Sequence, residues 1–147
     1  MRPPIFWIQP TGTEAQQHLH RARQFRAAAQ DLPDCRNGEQ NWPKYALITH
    51  AIELALKGFA LHCARGGKIP GDPKRHDLVG WYEAAVKFGL KREPDMTENI
   101  ALLNNLHVSH YMRYPTQPAR VVPNPEVIAD QTVDYLVFEI TQVVNLR

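Results

Sequence analysis

Apolar residues recur every three or four positions through most of this chain, and prolines cut the pattern into helix-sized pieces. Five windows contain no proline: 11–32, 44–69, 74–93, 95–114 and 126–147. Proline lacks an N–H and its ring clashes with the preceding turn, so helix interiors exclude it. The reading is five helices. In the first window Leu19, Ala22, Phe25, Ala29 and Leu32 fall at helical spacing. Thr11-Gly12-Thr13-Glu14 ahead of them supplies an N-cap region. Pro33 to Gln40 is polar, contains Gly38 and reads as a loop.

The second helix has Asn41 to cap it and Pro43 in a first turn where the missing N–H costs nothing. Ala46, Leu47, Ile48, Ala51, Ile52, Leu54, Ala55, Leu56, Phe59 and Ala60 cover most of its circumference. A helix apolar nearly all round belongs at the centre of a bundle or in a dimer seam. Gly66-Gly67 ends it, and a glycine/proline loop runs on to Lys74. A third helix is expected from about His76 to Gly89, burying Leu78, Trp81, Tyr82, Ala85 and Phe88. Thr97 is placed as the cap of a fourth, with Ile100, Leu103, Leu106 or His107, and Tyr111 along one side. After a proline-rich connector, Pro115 to Pro125, the last helix starts at Pro125 or Glu126. Ala129, Val133, Leu136, Ile140 and Val143 form its core face. Its β-branched content favours strands, but the apolar period is helical.

The 147 residues suit one domain, 1–147, with a bundle core over about 14–145. A net charge of +2 gives no bulk field for nucleic acid, although seven histidines add positive charge below neutral pH. Met1-Arg2-Pro3-Pro4-Ile5-Phe6-Trp7-Ile8 is too short and proline-broken for a signal segment. His50, Glu53, Lys57 and His62 interrupt the longest apolar run, Tyr45 to Cys63. A cytoplasmic protein without a membrane partner is expected. In that compartment Cys35 and Cys63 read as two thiols, with one disulfide as the alternative.

Four groups of residues carry candidate chemistry. Glu53 and Lys57 stand four apart with the acid N-terminal, the favourable order for a helical ion pair. They form either a polar seam or the edge of a groove in which Lys57 receives a phosphate. His76-Asp77 opens a helix, where a carboxylate suits the dipole; a structural role fits better than acid–base work, because no nucleophile lies in sequence reach. Asn104, His107, His110, Tyr111 and Arg113 form the most polar cluster on a helix. His107 and His110 have spacing for a metal, but no carboxylate or cysteine accompanies them, so neither metal nor cofactor is expected. Lys68, Lys74, Arg75, Lys87, Lys91 and Arg92 make a basic zone of the kind that is usually a solvated face. Gly66-Gly67-Lys68 lacks the spacing of a phosphate loop.

Three short patches together resemble the HEPN (higher eukaryote and prokaryote nucleotide-binding) superfamily of helical domains. Glu53-Leu54-Ala55-Leu56-Lys57-Gly58 matches a Glu-Leu-x-Leu-Lys-Ala pattern, His76-Asp77-Leu78 a His-x-Leu helix start, and Arg113-Tyr114-Pro115 an Arg-Tyr-Pro helix end. The resemblance implies an all-α, up-and-down four- or five-helix bundle, commonly a homodimer with its cleft at the interface. A nucleotidyltransferase-type protein is a frequent partner, and toxin–antitoxin pairs are common in the family. Many members are ribonucleases that use an Arg followed after four to six residues by a His. The guanidinium stabilises charge on the phosphate and the imidazole moves the proton.

This chain departs from that pattern. No His has an Arg five to seven residues before it; ahead of His110 stand Leu103, Asn104 and Asn105. The expectation is therefore a non-catalytic HEPN-like dimer that binds a nucleotide, RNA or a partner protein through Lys57, Asn104, His107, His110, Arg113 and Tyr114. The alternatives are a divergent metal-independent ribonuclease with His110 as base and Arg113 as charge stabiliser, and a structural dimerisation module.

Overall fold

The computed structural model describes residues 12–36, 39–108 and 124–145. Among them the chain is helical, with five helices: α1 (Glu14–Gln30), α2 (Trp42–Ala64), α3 (Leu78–Lys87), α4 (Pro94–Val108) and a C-terminal helix over 125–145. The expected loop between α1 and α2 holds a two-residue antiparallel bridge, Cys35–Arg36 on Glu39–Gln40, with Cys35 opposite Gln40.

Local chemistry sets most of the helix ends. Thr13 and Gln16 form a capping box: Gln16 N–H donates to Thr13 Oγ1 at 3.1 Å and Thr13 N–H to Gln16 Oε1 at 3.0 Å. Asn41 Oδ1 accepts from Lys44 N–H at 3.3 Å, with Pro43 in the first turn. Asn124 Oδ1 caps the C-terminal helix from Glu126 N–H at 2.9 Å. The left-handed cap of α2 comes one residue before the Gly66-Gly67 signal. Arg65 itself takes the left-handed conformation (φ 48°, ψ 47°), and Gly66 follows at φ 81°.

Two starts differ from the sequence reading. Asp77 is the N-cap of α3, and its carboxylate accepts from Gly80 N–H at 3.0 Å, so the helix begins at Leu78 and His76 lies outside it. Thr97 does not cap α4, which starts at Pro94. Its hydroxyl donates to Glu93 O at 2.9 Å and lies 2.9 Å from the Tyr82 hydroxyl. Buried Tyr82 needs a polar partner for its O–H, and Thr97 supplies it.

α2 is the central element, touching α1, α3 and the C-terminal helix. It is long and apolar enough to cross a membrane by composition, but 61% of that stretch is buried within the fold. Gly58 of α2 packs tightly against α1. A Cβ there would stand 3.1 Å from Ala15 O and 3.2 Å from His18 Cβ. The last position of the Glu53–Gly58 patch is thus set by helix packing.

The C-terminal helix changes register midway. Pro125–Ile128 is α-helical, Ala129–Asp134 forms a π turn and Tyr135–Asn145 is α-helical again. Ile128, Thr132, Leu136, Ile140 and Val144 are all buried. At 3.6 residues per turn, Ile128 and Val144 would stand nearly on opposite faces; the wider π turn holds both on the core side. Val143, expected in the core, is instead 38% exposed, and Val144 at 5% takes its place. Opposite the π turn, Asn99 Nδ2 donates to Thr132 Oγ1 at 3.4 Å, joining α4 to it.

Candidate functional site

A carboxylate inside an apolar helix must find partners, because an unpaired buried charge is strongly unfavourable. Glu53 is 3% exposed and has three. Lys57 Nζ, one turn along α2, lies 3.7 Å from Oε2, the ion pair expected from their spacing. His50 Nδ1, one turn back, lies 3.3 Å from Oε2. His76 Nδ1, at the end of the loop before α3, lies 2.8 Å from Oε1. Burial alone would push the Glu53 carboxyl up. Hydrogen bonds from His50 and His76 and the charge of Lys57 outweigh it and hold the group below the ordinary carboxylate range.

An ionised carboxylate only accepts hydrogen bonds, so the facing nitrogen of each imidazole carries its proton. Both rings are held with Nδ1 protonated, which makes Nε2 the basic nitrogen. The carboxylate fixes tautomer and orientation together, as outer-shell carboxylates do for functional histidines elsewhere. Phe25 of α1 meets the His50 ring edge-on, with centroids 4.4 Å apart at 88°. The His50 side chain is 40% exposed and that of His76 55%. The anion is inside, and its two imidazoles reach the surface.

Lys57 makes a second contact. Its ammonium stands 5.3 Å from the centroid of the Trp81 ring on α3, within the range for a cation–π interaction. Trp81 is fixed in turn by its indole N–H, which donates to Lys74 O at 3.0 Å. From the other side Asn104 of α4 reaches the same turn: its Oδ1 accepts from Leu78 N–H at 3.0 Å. Lys57 and Asn104 therefore converge on the first turn of α3. Asn104 Oδ1 and Asp77 occupy two of its backbone donors, which leaves side chains to provide positive charge here.

The remaining expected site residues divide as follows. His107 belongs to α4, where only its backbone is described. His110, Arg113 and Tyr114, together with Tyr111, lie outside the described residues. Among the described residues no group of three or more His, Cys, Asp or Glu side chains is arranged to hold a metal ion. In the basic zone, Arg92 forms a bidentate pair with Glu83 at 2.7 and 2.6 Å, and Lys91 meets Glu93 at 3.2 Å. Lys68, Lys74 and Arg75 are exposed. Cys35 and Cys63 are both free thiols; burial pushes the Cys63 thiol up, with Arg65 opposing.

Sequence reasoning missed His50 and named no distant partner for His76. His50 stands three residues before Glu53, a spacing that brings side chains together on a helix, so it was readable. His76 meets Glu53, twenty-three residues away in the chain, which no local pattern announces. The chain matches no protein-family model, no curated protein and no solved structure.

Proposed function

We propose that this chain is a non-catalytic, HEPN-like helical module that acts as a homodimer and binds a nucleotide or RNA through phosphate. Lys57 and His76 are its central contacts, on the face shared by α2 and α3, and Asn104, His107, His110, Arg113 and Tyr114 are the further ligand contacts expected from the sequence. The observation that carries this reading is the imbalance at Glu53: one buried carboxylate holds a lysine and two histidines. A purely structural pair needs one partner for one charge. Here cationic capacity exceeds anionic, and it lies on the solvent side of the carboxylate. Exposed Lys74 and Arg75 adjoin His76 in the chain. Phosphate is the group that lysine and imidazolium hold best through charge-assisted hydrogen bonds.

Binding without cleavage follows from the missing arginine: no His of the chain has one at the ribonuclease spacing. The test is calorimetry of the full chain with AMP and with a short single-stranded RNA. Lys57→Gln is expected to weaken binding by about tenfold, the cost of one charge-assisted contact. Equal affinity in the variant removes Lys57 from the site. RNA cleavage by the wild type, abolished in His110→Ala, replaces this reading with the nuclease.

A further inference from the structure

We infer that the loop from Arg65 to His76 is a track for the phosphate backbone of a polynucleotide strand, leading away from the Glu53–Lys57 cluster. The inference rests on the phosphate-binding role proposed above. It narrows the ligand from any nucleotide to a strand whose successive phosphates the loop meets.

Positive charge is concentrated in this loop. From Arg65 to His76 the chain holds Arg65, Lys68, Lys74 and Arg75 against one carboxylate, Asp72, a formal +3. The whole chain carries +2, so all the other residues together come to −1. Such an asymmetry draws anions to one part of a surface. The basic zone also divides by pairing. Beyond the loop, Arg92 is bound to Glu83 and Lys91 to Glu93. Within it Arg65, Lys68, Lys74 and Arg75 are all exposed. Among the described residues none of these four is in an ion pair.

The backbone carries these side chains on an ordered path. Gly67 N–H donates to Ala64 O at 2.8 Å, Asp72 N–H to Ile69 O at 3.1 Å and Asp77 N–H to Lys74 O at 3.0 Å, three turns in succession. Two further contacts fasten the loop to the cluster: the Trp81 indole N–H on Lys74 O at 3.0 Å, and His76 Nδ1 on Glu53 at 2.8 Å. Lys57 Nζ lies over the ring of that same Trp81, so the loop and the phosphate site adjoin. A preordered backbone binds a polyanion with less loss of freedom than a flexible one. Arg65 and Arg75 supply planar forks that fit phosphate oxygens, and Lys68 and Lys74 supply point charges. Contacts of this kind position a strand without reading its bases.

The experiment uses the full chain with AMP, with single-stranded oligoadenylate of about twenty nucleotides, and with a polyglutamate peptide of matched charge. Calorimetry across a salt series gives the affinities. Each phosphate contact on a single strand adds about 0.7 to the fall of log affinity with log salt. The four loop cations should therefore make the oligonucleotide slope steeper than that of AMP by about 3, a readout that needs no variant. Arg65→Gln combined with Lys68→Gln should lower the oligonucleotide slope by about 1.4, with a far smaller effect on AMP. Equal slopes for AMP and the oligonucleotide, or a slope unmoved in the double variant, overturn the track and leave the phosphate-binding role standing. Polyglutamate that binds as tightly as the oligonucleotide overturns the assignment of the loop to nucleic acid. Absence of binding by AMP and oligonucleotide alike overturns the binding role and the track together.

Discussion

α2 buries two charged side chains, and their surroundings differ. Lys44, 7% exposed, donates to Leu32 O at 2.8 Å and meets Asp34 Oδ1 at 2.6 Å as an ion pair. One cation has one anion and one carbonyl, and all three tie the α1–α2 connection to the start of α2. Glu53 has three basic groups around one carboxylate, two of them on half-exposed imidazoles. The first site is balanced and closed, as a structural clamp should be. The second is over-supplied with basic groups and open to solvent on their side. Burial of a charge therefore does not by itself single out a candidate site; the surplus of partners and the direction in which they face do.

The sharpest way to break this contrast is to truncate each centre. Glu53→Ala leaves Lys57 without its anion and cuts the tie from His76 to α2, and should destabilise the fold by about 3 kcal/mol, the scale for breaking a buried pair. Lys44→Ala strands Leu32 O and Asp34 and should cost about 2 kcal/mol. Urea unfolding measures both. The centres part on ligand binding: Lys44→Ala should leave the RNA affinity of the folded protein unchanged, and Glu53→Ala should alter it.

Acid distinguishes them further. Glu53 is held below its ordinary value of 4.5, so its contribution to stability is fully present above that value. It is lost as pH falls through the lower, folded-state value. The stability difference between wild type and Glu53→Gln should therefore shrink as pH falls below 4.5, as followed by urea unfolding at each pH. A difference that grows as pH falls below 4.5 would mean that the carboxyl is raised rather than lowered.

Smaller effects lie beside the two centres. Gly58→Ala gains about 1 kcal/mol of helix propensity. It also forces a methyl against Ala15 O and His18 Cβ, and rigid backbone on one side should make the net effect destabilising by about 1 kcal/mol. A lower urea midpoint at unchanged slope is the expected sign. Thr49, between Lys44 and Glu53 on α2, buries a hydroxyl without a hydrogen-bond partner among the described residues. Thr49→Val should be neutral or stabilising by up to about 1 kcal/mol in the same assay. Loss of stability there would show that the hydroxyl is engaged.

The helices were legible because their limits are local. Proline exclusion, the Thr13, Asn41 and Asn124 caps and the period of apolar residues act within one or two turns, so the chain states them directly. α2 as the central element followed from its nearly continuous apolar circumference. The Glu53–Lys57 pair was equally local. Thr97 misled because a threonine before an apolar run looks like a cap, and only the packing of α3 on α4 shows that its hydroxyl belongs to Tyr82 and Glu93. Val143 misled because Val143 and Val144 both follow Ile140 at helical spacing, and only the packing selects Val144.

The sequence alone determined the number of helices, most of their boundaries and the placing of an acid and a base one turn apart on the most apolar of them. Those features rest on backbone hydrogen bonds and side chains a few residues apart. Tertiary structure decided which charges share a site. His76 meets Glu53 because the loop after α2 returns α3 against it, and Trp81 and Asn104 arrive from two further helices. Contacts between distant segments depend on the path of the chain, and that path is fixed by how all the apolar faces pack at once.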